Sequence, residues 1–115
     1  MSIDIIILKP IDQNATDLTA VESVIDIGRP EIVEVALNSV FPGCTDGAFV
    51  TGEEYSLEAT LSGDPVSSIH LTLRYGSAWS EVSNNAFLVS ISCLCQELKS
   101  QAFAVSDNSR ISLKH

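Results

Sequence analysis

The residues that could carry out chemistry in this chain are few and scattered. Of the two histidines, His115 is the last residue and His70 lies in an alternating segment, on the same polar side as Arg74. This position is typical of a solvated or cross-strand-paired histidine rather than of a general base. Cys44 lies in a glycine-containing segment and could be a nucleophile, but no base signature accompanies it. We therefore expect no catalytic residues and a protein that is not an enzyme.

The patterns that could hold a metal or a cofactor are incomplete. Cys93 and Cys95 are two residues apart in a helical pattern, so their side chains point about 200° apart and cannot form a paired ligand set. The three glycines within residues 43–52 lack the Gly-Lys-Ser/Thr ending of a phosphate-binding loop. We expect neither a metal nor a cofactor.

An acidic cluster and one tryptophan are the remaining candidates for function. Asp46, Glu53, Glu54 and Glu58 lack the regular alternation of acids that a calcium loop needs, so they form either a solvated rim or a protein-binding rim. Trp79 either packs in the core or anchors an interface, since tryptophan is common at binding hot spots. If the protein binds a partner, these five residues are the predicted contacts.

Composition narrows the class of partner. The chain has 115 residues, which predicts a single domain over residues 1–115. Its 15 acidic and 6 basic residues give a net charge of −9. A strongly acidic chain cannot build the basic stripe that nucleic acids require, and anionic membrane surfaces repel it. A basic protein partner is the natural complement.

The N-terminal residues and the cysteine count predict the compartment. Asp4 precedes an apolar run of only four residues, Ile5 to Leu8, which is too short and too acidic at its start for a signal peptide. No run approaches the roughly 18 apolar residues of a spanning helix. An odd number of cysteines, three, does not suggest a disulfide framework. We expect a cytoplasmic protein.

Period-two alternation predicts the strands. Residues 54–62 and 66–75 alternate on either side of a Gly-Asp-Pro turn and should pair as an antiparallel hairpin, which would bring Glu58 near His70 or Arg74. Residues 3–8 are almost continuously apolar and indicate a central strand covered on both faces. Residues 21–27 fit either a helical turn or a short extended segment, and residues 43–52 a loop with a possible edge strand.

Apolar residues at spacings of three and four predict two helices. The first runs from about Pro30 to Phe41, with an apolar stripe formed by Ile32, Val33, Ala36, Leu37, Val40 and Phe41. The second runs from about Ser80 to Lys99, with a stripe formed by Phe87, Ile91, Leu94, Cys95 and Leu98.

The order of these elements predicts the fold class. Residues 102–105 and 110–113 return to a strand pattern around a turn at 107–109, which indicates a short C-terminal hairpin. We therefore expect an α+β two-layer sandwich of βαββαβ-like order. Its sheet should be mainly antiparallel, with both main helices packed on it.

Several landmarks along most of the chain resemble the small bacterial immunity proteins, which protect a cell from toxins delivered by its siblings. They are Leu8-Lys9-Pro10, Ile25-Asp26-Ile27-Gly28-Arg29, Phe41-Pro42-Gly43, Tyr55-Ser56-Leu57-Glu58, Gly63-Asp64-Pro65-Val66, Leu73-Arg74-Tyr75-Gly76 and Phe103-Ala104-Val105-Ser106-Asp107. Many proteins of this kind carry tryptophan where this chain has Phe103, which is a conservative difference.

The resemblance implies inhibition by occlusion rather than catalysis. A protein of this kind binds one cognate toxin domain, from a contact-dependent or type VI secretion system, and covers its active site or locks its fold. Toxins that are nucleases or use nucleotides are often basic because their substrates are anionic, and the charge of −9 suits such a partner. The alternative is another non-catalytic binding protein: an adaptor, a secretion chaperone or a structural subunit.

Overall fold

Two helices packed on a six-stranded antiparallel sheet make up the described part of the chain. The computed structural model describes residues 2–11, 18–21, 23–106 and 108–111. The elements are β1 (Ser2–Pro10), a 3-10 turn (Leu18–Ala20), β2 (Val24–Ile25), α1 (Pro30–Val40), β3 (Phe49–Thr51), β4 (Tyr55–Ser62), β5 (Ser68–Tyr75), α2 (Glu81–Leu98) and β6 (Gln101–Ala104). The predicted α+β two-layer sandwich is confirmed.

The sheet is built around β1 and β5. Its strand order is β2-β1-β5-β4-β3, and β6 also pairs with β1. The predicted hairpin is confirmed, since β4 and β5 pair antiparallel from Tyr55 opposite Tyr75 to Ser62 opposite Ser68. β1 is central as predicted, because it pairs with β5, β6 and β2.

Two segments that the sequence left open form short strands. Within residues 21–27, Val24 and Ile25 are extended as β2 and pair with Pro10 and Lys9. In the glycine-containing loop, β3 pairs with β4, with Phe49 opposite Leu57, which makes it the expected edge strand. The polar, turn-rich sequence of residues 11–20 predicts a loop, and most of it lies outside the described residues.

The two faces of the sheet differ in burial. Residues directly opposite one another in an antiparallel pair share a face. The face toward the helices carries fully buried aliphatic side chains: Ile5, Ile7, Leu57, Ile69, Leu71 and Leu73. The prediction that β1 is covered on both faces is wrong for Asp4, which is exposed, and Ile6 is only partly buried. The physical reason is that both helices lie on one face of the sheet. The other face is open at Asp4 but covered near β6, where Phe103, opposite Ile6, is fully buried.

α1 has the predicted boundaries, but its buried stripe is narrower than predicted. Pro30 occupies the first turn, where its missing N–H costs no hydrogen bond. The buried residues are Val33, Ala36 and Leu37. Ile32, predicted on the buried face, is 60% exposed. The helix buries one stripe against the sheet, and Ile32 lies beside that stripe, on the outward side.

α2 follows its prediction closely. The Ser80 side chain caps the helix by accepting a hydrogen bond from the Ser83 N–H at 3.3 Å. Lys99 ends it in the left-handed conformation with φ of 52°. The predicted stripe is confirmed: Phe87, Ile91, Leu94, Cys95 and Leu98 are all buried.

The C-terminal hairpin is present in its described part. The Ala104 N–H donates to the Ser109 carbonyl at 2.8 Å, and the Ile111 N–H donates to the Ala102 carbonyl at 2.9 Å. Phe103, opposite Arg110 in this pairing, is fully buried. The predicted turn residue Asp107 and the rest of the second strand, 112–113, lie outside the described residues.

Truncating the buried stripe of α2 should destabilise the protein strongly. Ile91 and Leu94 are both 0% exposed. Replacing either with alanine should lower the free energy of unfolding by roughly 2–5 kcal/mol, measured by urea denaturation. Val89→Ala is the matched control, because Val89 on the same helix is 56% exposed, and its cost should stay within about 0.5 kcal/mol. Equal losses in the three variants would contradict this packing.

Candidate partner-binding edge

Two loops meet at one end of the sheet and form an edge that carries three of the five predicted contact residues. The β3–β4 turn accepts two backbone hydrogen bonds from the β5–α2 loop, from the Gly76 N–H to the Glu54 carbonyl and from the Ala78 N–H to the Glu53 carbonyl, both at 2.8 Å. A Cβ atom at Gly76 would overlap the carbonyl oxygen of Glu53, so this approach requires glycine. We call residues 52–54 together with 76–80 the loop edge.

Trp79 is fixed within the loop edge by aromatic packing. Its ring centroid lies 4.7 Å from that of Tyr75, 5.6 Å from that of Tyr55 and 6.5 Å from that of Phe87. The Tyr55 and Phe87 rings are part of a cluster that continues to Phe41. Trp79 packs against the hydrophobic core cluster, as the core-packing interpretation predicts, and the residue remains partly exposed. Its alternative role as an interface anchor stays a prediction.

Glu54 is committed to the start of α2. Its Oε2 accepts a hydrogen bond of 2.7 Å from the hydroxyl of Ser83, which is 2% exposed in the first turn of the helix. A carboxylate here also faces the positive end of the helix dipole. Burial raises the pKa of the neighbouring Tyr55 hydroxyl, and the negative charge of Glu54 raises it further. Glu54 therefore holds two elements together.

Glu53 is the carboxylate of the loop edge that remains open to solvent. It is exposed, and its Oε2 accepts a long hydrogen bond of 3.4 Å from the Ser77 hydroxyl. The Glu53 carboxylate therefore makes only this weak interaction among the described residues and is available to a cation on a partner.

Glu58 and Asp46 do not join the loop edge. Glu58 lies on the solvent face of the sheet, where its Oε1 accepts a hydrogen bond of 2.8 Å from Arg74 Nη1. This pairing settles the predicted choice between His70 and Arg74 in favour of Arg74. Asp46 is exposed in the α1–β3 loop. The described residues include no group of three or more His, Cys, Asp or Glu side chains placed to hold a metal ion.

The two residues considered for catalysis, Cys44 and His70, have structural surroundings that explain them: one is buried and the other is paired across the sheet. Cys44 is 1% exposed, and burial raises the pKa of its thiol above the ordinary value, which is the opposite of what activates a nucleophile. His70 is exposed on the sheet's solvent face, with its Nε2 3.5 Å from Asp4 Oδ1. The interpretation of His70 as a solvated, cross-strand-paired side chain is confirmed.

Several apolar residues on the helices are exposed, of which Ile32 was predicted to be buried and the others were not predicted from the sequence. Ile32, Val35, Val82 and Val89 are 60%, 71%, 77% and 56% exposed. The sequence pattern of α2 could have revealed Val82 and Val89, because that helix has apolar residues at helical spacing on two sides rather than one.

Comparison with family models, with curated proteins and with solved structures gives no significant match. Neither helix within the described ranges is long and apolar enough to cross a membrane.

Glu54 and Glu53 should differ in their effect on stability. Glu54→Gln weakens the charge-assisted hydrogen bond to Ser83 and removes a favourable charge at the N-terminus of α2, so it should lower the free energy of unfolding by about 1 kcal/mol. Glu53→Gln, the same change one residue earlier, should leave that free energy within about 0.3 kcal/mol. Thermal denaturation of the two variants measures the difference, and equal melting temperatures would show that Glu54 does not hold α2.

The three cysteines should react with alkylating reagents at very different rates. Cys93 is exposed, whereas Cys44 and Cys95 are buried. The raised pKa of Cys44 further lowers its thiolate fraction at pH 8. Iodoacetamide followed by mass spectrometry should label one site rapidly, at Cys93, and the other two only in denaturant. Rapid labelling of native Cys44 would contradict the burial described here.

Proposed function

We propose that this protein binds and neutralises a cognate bacterial toxin domain by covering its active site, as an immunity protein does. The observation that supports it best is the loop edge. There the backbone of Glu53, whose side chain is exposed, is hydrogen-bonded to Ala78, the residue before a partly exposed tryptophan held by its neighbours. Aromatic anchors surrounded by polar residues are typical of protein-binding surfaces.

The rigidity of the loop edge favours binding. Trp79 is held by the rings of Tyr75, Tyr55 and Phe87, so little side-chain entropy is lost when a partner covers it. The two backbone hydrogen bonds between the β3–β4 turn and the β5–α2 loop keep Glu53 in a fixed position next to it.

Charge favours a basic partner such as a nuclease or a nucleotide-using enzyme. The net charge of −9 speeds the encounter with a basic surface and disfavours acidic ones. In this proposal the protein acts in the cytoplasm, without catalysis and without a cofactor, and it binds the toxin rather than nucleic acid.

Of the five contacts predicted from the sequence, the proposal centres on Glu53 and Trp79, with Glu54 as their support. Asp46, exposed in a separate loop, contributes long-range attraction. Glu58 leaves the set, because Trp79 packs toward the helices while Glu58 is paired with Arg74 on the opposite side of the sheet.

Co-expression with the toxin encoded beside its gene tests the function. The wild-type protein should restore growth and co-purify with the toxin as a stable complex. Death of the cells in the presence of correctly folded protein, with no complex formed, would contradict the immunity function whichever surface is used.

Interface variants test the loop edge separately from the function. Glu53→Gln should slow association and weaken its salt dependence, since rim charges act mainly on the encounter. Trp79→Ala should speed dissociation and cost roughly 2 kcal/mol or more of binding free energy. Trp79→Phe preserves most of the packing and controls for loss of folding.

Glu58→Gln is the matched control for charge, because it removes the same charge on the other side of the sheet. It should leave both rate constants nearly unchanged. If Glu58→Gln weakens binding and Glu53→Gln does not, the toxin binds the other face of the sheet, and the assignment of the contact to the loop edge is wrong.

A further inference from the structure

α2 carries a second apolar stripe that nothing in the described chain covers. Val82, Ala86, Val89 and Cys93 follow one another at spacings of 4, 3 and 4, so they lie on one side of the helix, and all four are exposed. This stripe is roughly 140° around the helix from the buried one that contains Ile91. A helix that is apolar on two sides typically packs against two neighbours.

α1 extends this apolar surface. The two helices run in opposite directions. The ring centroid of Phe41, just after α1, lies 5.9 Å from that of Phe87 in the first half of α2, whereas Ala36 lines a groove with Leu98 at the end of α2. Ile32 and Val35, both more than half exposed, border that groove, which has a volume of about 470 Å³. We call this surface the helix-layer face. Its members are Ile32, Val35, Val82, Ala86, Val89 and Cys93.

Charge indicates what this face can accept. Each helix carries two glutamates and no basic residue, and Glu31 and Glu97 lie directly in the wall of the groove. Arg29 and Lys99 cap the two helices at this end, and neither is part of that wall. A second copy of the chain docked on this face would bring two sets of these carboxylates together. Two chains that each carry a net charge of −9 would repel one another. An apolar surface with acidic borders instead complements an apolar segment with basic borders.

We infer that the helix-layer face is a docking surface for a basic amphipathic helix of another protein. Such a helix presents aliphatic side chains at three- and four-residue spacing to the apolar surface, and its lysines or arginines reach the glutamates. The groove at the C-terminal end of α2 takes one aliphatic anchor between Ile32, Val35 and Leu98.

The inference is tested separately from the proposed function, because the groove and the loop edge lie at opposite ends of α2. Trp79 precedes the first turn of α2, whereas the groove lies at its last turn, and 18 helical residues span roughly 25 Å. Val82 is the one member of the helix-layer face that is close in sequence to the loop edge, so a partner anchored in the groove can leave Glu53 and Trp79 free.

A synthetic peptide supplies the test. The probe is a 14-residue helix with leucine at positions i, i+3, i+4 and i+7 and lysine on its other side, titrated into the ¹⁵N-labelled protein. Saturable amide shifts should concentrate in residues 31–36 and 82–97. A peptide with serine in place of leucine, which keeps the charge, should bind at least about tenfold more weakly. A peptide with glutamate in place of lysine should also weaken at least about tenfold, because the glutamates of the face would repel it.

Paired variants of the protein locate the binding. The double variant Val35→Thr/Val89→Thr keeps side-chain shape and should weaken the peptide at least about tenfold. Val50→Thr/Val105→Thr is the matched control, since both valines are exposed outside the helices, and it should bind like the wild type.

Two results would overturn the inference. One is equal affinity for both double variants, which would mean non-specific attraction to an acidic protein. The other is a set of shifts at residues 31–36 and 82–97 that depends on protein concentration without peptide, which would mean that a second copy occupies the face. Neither result affects the restoration of growth in the co-expression experiment, so the docking surface and the proposed function are tested separately.

Discussion

The register of β5 between β1 and β4 is the constraint on which the rest of the structure depends. Leu71 and Leu73 lie opposite Ile5 and Ile3 on one side and opposite Ala59 and Leu57 on the other. A slip of one residue on either side would turn every aliphatic side chain of that strand from the helices to solvent. The same register sets the opposite face, where Arg74 reaches Glu58 and His70 reaches Asp4. It also places Tyr55 opposite Tyr75, and these two rings together support Trp79.

Much of this arrangement could be predicted from the sequence, because alternation and helical spacing state which side of an element is buried. The β4–β5 hairpin and the stripe of Phe87, Ile91 and Leu94 were predictable for that reason. The same patterns do not state which neighbour an element meets. The bond between Glu54 and Ser83 joins residues 29 apart in the chain, and it depends on how one loop docks onto another. Apolar character also does not imply burial, and Ile32 was therefore predicted wrongly. The second face of β1 is covered only in part, since Asp4 is exposed whereas Phe103, opposite Ile6, is buried.

The candidate site was predictable in composition but not in geometry. The sequence identified acids and a tryptophan as the residues suited to binding, and the structure divides them by role. Glu53 is open, Glu54 supports α2, and Glu58 is paired on the far side of the sheet. The buried thiol of Cys44 and the paired, exposed His70 have structural explanations of their own. Two surface features carry the proposals: the acidic, aromatic loop edge and the apolar face on the helices.

Hydrogen–deuterium exchange of the protein, alone and in complex with the toxin domain proposed as its partner, tests the central claim most directly, because it maps the contact without any mutation. The account predicts that exchange slows in residues 52–54 and 76–80. It also predicts that the backbone amides of residues 56–60 and 70–74, in the two strands that carry Glu58 and Arg74 on the other face of the sheet, exchange as they do in the free protein. Protection confined to those two strands, with the loop edge unchanged, would contradict it.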